Sequence, residues 1–225
     1  MPRPMIVGIC GSPRKASSRT AQLVKGVLLG ARAAGAESEY VDVTTLDVEF
    51  CVACDHCHSE GECVHEDDLA ALLAKLQAAD GIVLGSPSYL FQMTAQLKTF
   101  VDRLSLTVHC QLLLGRYGAA VSTSGVSGHV ETATALEVVL QVTGVQTVGH
   151  LACALPGGPV ALNAPEMAAA EALGRKLVEA IREETEFPQQ LARMAETREY
   201  FRGVIESCRD ERKWEWEYYR KQHWL

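Results

Sequence analysis

No acidic residue occurs before Glu37, although the 225-residue chain holds 28 acids against 21 bases and a formal charge of −7. The negative balance excludes generic binding to nucleic acid or to an anionic membrane surface. The acid-free start, with Arg3, Arg14, Lys15, Arg19, Lys25 and Arg32, leaves one end locally positive. Long apolar runs are missing too: nothing approaches the roughly 18 residues of a membrane helix, so no membrane partner is expected. The first apolar run, Met5 to Cys10, leads straight into a turn and reads as a strand rather than a secretory signal. A cytoplasmic chain is expected, in which structural disulfides are rare. Three phosphate-binding signatures are absent as well. Gly8 and Gly11 do not make a G-x-G-x-x-G turn, no G-K-[ST] follows, and Ala16 stands where a cysteine phosphatase loop starting at Cys10 needs arginine. Neither a catalytic triad nor a carboxylate pair is visible, and no internal repeat stands out.

What is present is a soluble-enzyme composition, 48% hydrophobic and 22% charged. Short runs rich in Val, Ile and Leu alternate with helical periods. Strands are predicted at Met5–Cys10, Glu39–Val43, Gly81–Gly85, Tyr117–Ser122 and Thr147–Leu151. Helical faces are predicted through Leu23, Val24, Val27, Leu28 and Ala31; through Leu69, Leu72, Leu73 and Leu76; and through Met93, Leu97, Phe100, Val101 and Leu104. A weaker one joins Ala133, Leu136 and Leu140. This pattern predicts an α/β fold, a doubly wound five-stranded parallel sheet of flavodoxin-like size. Residues 1–186 are expected to form that domain and 187–225 a C-terminal helical extension opened by Pro188. The extension carries all three tryptophans, and packs either on its own domain or on a neighbouring subunit.

The loop "GICGSPRKASSRTAQL" follows the first strand and opens the first helix, where free backbone N–H groups favour an anion. Its hydroxyls and cations suit one terminal phosphate, such as that of a flavin mononucleotide. Together with "ADGIVLGSPSYLFQMTAQLKTFVDRL", this loop resembles the NADPH-dependent FMN reductase family over roughly residues 5–155. The resemblance implies phosphate contacts from Ser12, Arg14, Ser17, Ser18 and Thr20. It implies ring contacts from Pro87, Ser88, Tyr89, Leu90 and Phe91, and from Thr123, Ser124, Gly125 and Gly128. Family loops often have asparagine near position 19, where this chain has Arg19. Cys10, Cys110, Cys153 and Cys208 read as packing residues.

The other four of the eight cysteines fall in "CVACDHCHSEGEC": Cys51, Cys54, Cys57 and Cys63, spaced C-x2-C-x2-C-x5-C after the second strand. Successive C-x2-C steps can wrap thiolates around an iron–sulfur cubane. Zinc, a redox disulfide and unligated thiols stay open as alternatives. His56, His58 and His65 read as exposed loop residues. The motif is similar to that of iron–sulfur flavoproteins, a branch of the same family. That resemblance implies FMN with a 4Fe–4S cluster, NAD(P)H or ferredoxin as electron donor, small-molecule or protein redox partners, and a homodimer or homotetramer. The function expected is a flavin-dependent oxidoreductase passing electrons between FMN and the cluster. A cluster-free NAD(P)H-dependent FMN or quinone reductase and a zinc-stabilised binding module are the rival readings.

Overall fold

The computed structural model describes residues 3–157, 162 and 164–225. Its strands are β1 (Met5–Cys10), β2 (Glu37–Asp42), β3 (Gly81–Pro87), β4 (Tyr117–Ser124) and β5 (Gln146–Ala154), all parallel, in the order β2-β1-β3-β4-β5. The helices are α1 (Arg19–Ala33), α2 (His56–Glu60), α3 (Leu69–Ala78), α4 (Ala95–Asp102), α5 (Ser105–His109), α6 (His129–Val142), α7 (Ala164–Arg182), α8 (Pro188–Ser207) and α9 (Lys213–Lys221). This is the flavodoxin-like doubly wound sheet that the sequence predicts, followed by C-terminal helices.

Each central strand is apolar on both faces because helices cover both. Along β1, Ile6 and Cys10 join the core under α1 and α7, while Val7 and Ile9 join the core under α3, α4 and α6. The period of two that flips successive side chains feeds both layers from one short strand. Leu97, Phe100 and Leu136 are fully enclosed on the second face; burying each such side chain is worth about 1.5–3 kcal/mol. On β2, at one edge, exposed and partly buried residues alternate from Glu37 to Tyr40, and only Val41 is buried. Strands β3, β4 and β5 run further at their carboxyl ends than the apolar runs predict. Pro87 pairs with Thr123, and Ser124 with Ala154, because polar residues continue the ladder once its register is set.

Helix α4 is shorter than its apolar stripe. Thr94 caps its start by accepting from Leu97 N at 3.3 Å, which leaves Met93 ahead of the helix. Pro188 opens α8, as its sequence position predicts. Helices α8 and α9 form a hairpin whose Ile205, Phe201, Trp214 and Tyr219 pack with Leu106 and Cys110 in a third apolar cluster. That cluster also takes in Cys57, so the C-terminal hairpin reaches the cysteine loop. Among the described residues, no helix is long and apolar enough to cross a membrane.

Candidate functional site

The sheet order reverses between β1 and β3, and open α/β sheets bind ligands at the carboxyl ends of strands beside that point. A cavity of about 140 Å³ lies there, lined by Ser12, Arg14, Ser18, Arg19 and Thr20 from the first loop, Pro87, Ser88 and Tyr89 after β3, and Thr123, Ser124 and Gly125 after β4. Ser18 caps α1, its hydroxyl oxygen accepting from Ala21 N at 3.0 Å, and no acid occupies the first turn. The positive end of that helix is therefore turned toward the cavity without a competing carboxylate. Ser12, Ser18, Thr20 and Thr123 are buried, and the Thr20 and Thr123 hydroxyls meet at 2.6 Å.

The walls are tied together by hydrogen bonds among hydroxyls, backbone groups and an imidazole. Thr94 Oγ1 donates to Gly11 O at 2.6 Å, and Thr94 N donates to Ser86 Oγ at 3.0 Å. Gly11 N donates to Gly85 O at 2.9 Å, and Ser88 N to Thr123 O at 2.7 Å. Ser124 Oγ and His129 Nδ1 pair at 2.9 Å. The loops after β1, β3 and β4 thus share one hydrogen-bonded frame.

Of the residues named for the phosphate and ring, the structure brings ten to the cavity. Ser17, Leu90, Phe91 and Gly128 stand off it. Ser17 is exposed, and its hydroxyl donates to Arg14 O at 2.8 Å. Leu90 and Phe91 form the exposed tip of the turn after β3, with positive φ of 50° and 66°. Gly128, at φ +88°, backs that turn; a Cβ there would come within 2.4 Å of Ser88 Oγ. Sequence reasoning did not assign Arg19 or Thr94. Arg19 lines the cavity and donates to Gly157 O at 3.3 Å. Thr94 had a readable signal, a threonine just ahead of a helical stripe.

Across the same sheet edge, the chain after β2 forms the cysteine loop. Its neck is closed by Asp67 and Asp68: Glu49 N donates to Asp67 Oδ2 at 2.9 Å, and Asp47 N to Asp68 Oδ2 at 2.8 Å. Arg103 donates to both Asp67 and Glu49 O, with the Arg103 and Asp67 side chains almost fully buried. Burial disfavours the guanidinium charge, but Asp67 and the Cys63 sulfur outweigh it and keep Arg103 cationic. Asp67 is likewise held below its ordinary value: burial would raise it, and Arg103 with the Glu49 and Leu69 amides lowers it.

Within the loop, Ala53 and Asp55 adopt left-handed φ of 52° and 57°, which turns the chain back on itself between the thiols. All four cysteines are free; Cys51 and Cys54 are exposed, Cys57 and Cys63 half-buried. Cys57 and Cys63 line a second cavity, of about 570 Å³, over Leu69, Leu73, Leu106 and Arg103. A soft all-sulfur donor set from one short loop, with cationic Arg103 beside Cys63, fits an iron–sulfur cluster. All three histidines depart from the exposed-loop reading: His56 opens α2 half-buried, His65 is half-buried with its Nε2 enclosed, and His58 departs furthest. His58 is 3% exposed rather than a surface loop residue, because the hairpin of α8 and α9 closes over it.

A model of the family described as NADPH-dependent FMN reductase matches residues 4–159. An iron-sulfur flavoprotein of Archaeoglobus fulgidus is 33% identical over 175 residues, covering 77% of this chain and 79% of that protein. One from Methanosarcina thermophila is 33% identical over 147 residues, 64% of this chain and 76% of that protein. Among solved structures, the apo form of an NADH:FMN oxidoreductase superposes with a TM-score of 0.56 at 22% identity, over 83% of this chain and 93% of the other. A flavodoxin from the domain Archaea gives 0.54 at 14%, over 79% and 99%. At those identities the structural likenesses speak for the fold alone.

Proposed function

Because the chain belongs to the NADPH-dependent FMN reductase family, we propose that this flavin-dependent oxidoreductase is an iron–sulfur flavoprotein, passing electrons between FMN and a 4Fe–4S cluster. The observation that carries the reading is the shared rim. A hydroxyl-lined cavity and four free thiols both follow the carboxyl ends of strands in one sheet. Ser12, Ser18, Thr20 and the amino end of α1 would hold the FMN phosphate. Pro87, Ser88 and Tyr89 would lie along the ring, with Thr123, Ser124 and Gly125 at its polar edge. Cys51, Cys54, Cys57 and Cys63 would hold the cluster. When bound, FMN supplies two-electron and one-electron chemistry and the cluster one-electron chemistry only.

The chain's own part is to bind and orient. The frame through Thr94, Gly11 and Ser88 ties the loops to one another, which limits the ordering cost that falls on binding. Arg103 puts positive charge next to Cys63. NAD(P)H or ferredoxin is the proposed donor, with small-molecule or protein redox partners and a cytoplasmic site of action. Leu90, Phe91 and Val126 near the cavity, and Phe50 and Val52 beside Cys51, are exposed apolar groups. They support a homodimer or homotetramer, in which a neighbouring copy covers them.

Quantifying flavin and iron in protein purified without oxygen tests the proposal. About four irons per chain alongside stoichiometric FMN is the expected result. FMN without iron, after reconstitution with iron and sulfide, would leave a cluster-free reductase instead; zinc without flavin would leave a binding module.

A further inference from the structure

Glu215, on α9, is an acid with no exposed surface, and it lies outside the segment that matches the family model. A buried carboxylate persists only when paired. His58 Nδ1 stands 2.6 Å and His109 Nδ1 2.9 Å from Glu215 Oε1, while Arg212 Nη1 donates to Oε2 at 2.8 Å. Burial by itself would raise this carboxyl; the bonds from His109, His58 and Arg212 hold it down at about 2. The two imidazoles stack with centroids 4.5 Å apart, and Phe201 of α8 stacks on His109 at 3.9 Å.

The partner of this hub is α2, the short helix that carries Cys57. Five residues are too few for a helix to hold itself in water, and α2 has no side-chain cap at its start. Its end is Gly61, at φ +84°, where the indole of Trp214 lies so close that a Cβ would come within 2.1 Å of Nε1. Cys57 itself packs in the apolar cluster with Phe201, Ile205 and Trp214. One helix, α9, therefore grips α2 twice, by Glu215 on His58 and by Trp214 on Gly61.

We propose that Glu215 is a positioning residue: through His58 it clamps α2 onto the C-terminal hairpin and fixes the Cys57 sulfur relative to the other three thiols. Three ligand atoms of His58, His109 and Glu215 lie within 4.8 Å of one another, spacing that a divalent ion could also use. Arg212 already brings a positive charge to the same carboxylate, so the hydrogen-bonded hub is the better account. The clamp stands on geometry alone; only its effect on a cluster rests on the function proposed above.

The test compares wild-type full-length chain with Glu215→Gln and Arg212→Gln, all prepared without oxygen. Amide hydrogen exchange across residues 57–61 is expected to quicken at least tenfold in Glu215→Gln, less in Arg212→Gln, with β1 and β3 unchanged. In iron- and sulfide-loaded protein, the ratio of reduced to oxidised cluster at a fixed potential should shift at least threefold, about 28 mV at 59 mV per tenfold. Should Glu215→Gln fail to fold, the same two measurements on Arg212→Gln decide between the outcomes. Unchanged exchange in α2 overturns the proposal, and so does faster exchange with an unchanged ratio, which would make Glu215 a folding residue only. Stoichiometric zinc retained in a Cys57→Ser chain and lost with Glu215→Gln would replace the clamp by a metal site. Wild-type protein that takes up no iron would end the cluster reading while leaving the exchange result to judge the clamp.

Discussion

The proposed flavin cradle and the cysteine loop share one edge of the sheet but are held in place by different means. The cradle follows β1, β3 and β4, which pair side by side within the sheet, and it is fastened mainly by hydroxyls and backbone groups, with Arg19 to Gly157 O as a charged exception. The cysteine loop follows β2, the edge strand, and its closure depends on buried charge: Asp67 with Arg103 at the neck, Glu215 with His58, His109 and Arg212 at the tip. A loop between paired strands inherits their rigidity. A loop hung on an edge has a neighbour on one side only, so distant elements must hold the other. Buried charge suits that task because it is directional, and it is unforgiving when one partner is removed.

The largest expected effect comes from breaking the neck. Asp67→Ala strands the buried Arg103 guanidinium and frees the Glu49 and Leu69 amides, costing about 3–5 kcal/mol. Denaturant unfolding should report that loss, and iron uptake should fall with it. If the variant is as stable as wild type, charge does not hold this side of the rim.

Acid comes next. Glu215 sits at about 2 in the folded chain against an ordinary 4.5. Its stabilisation is therefore complete above pH 4.5 and is lost as pH falls through about 2, a contribution of about 3 kcal/mol. Trp214, Trp216 and Trp224 all lie in or beside α9, so tryptophan fluorescence reports the hub directly. It should change in this acid window before the sheet's circular dichroism does. Coincident loss of both signals would erase the contrast between the two regions.

The smallest effect belongs to the cradle. Thr94→Val keeps the shape but removes the bonds to Gly11 O and Leu97 N, at a cost of about 1–3 kcal/mol. FMN affinity is expected to fall about tenfold, equivalent to about 1.4 kcal/mol, while iron content stays at the wild-type level. Titration of apo-protein with FMN, followed by flavin fluorescence, measures the first, and metal analysis the second. Loss of iron alongside flavin would mean that the two regions are coupled through the sheet.

How much of this was legible depends on how far apart in the chain the cooperating residues lie. Ser12, Ser18 and Thr20 stand within one loop and helix start, so their grouping could be read directly. Ser17 sits in the same loop, yet its hydroxyl turns to Arg14 O, a local rotation that composition does not encode. The cysteine spacing pointed to the proposed shared ligand, but nothing near His58 announced its burial. Its partner Glu215 lies 157 positions away and His109 pairs with that same acid across 106, each an ordinary polar residue in its own surroundings.

The order of apolar runs determined the sheet, because parallel strands buried on both faces must be apolar throughout. Likewise, the hydroxyl-rich helix start and the four closely spaced thiols marked out the two loops on which the proposed anion and soft-ligand sites rest. Only the tertiary structure decided which helix covers that loop, which acid neutralises His58, and which hydroxyls face the cavity. Those choices rest on contacts between segments that become neighbours only once the chain has packed.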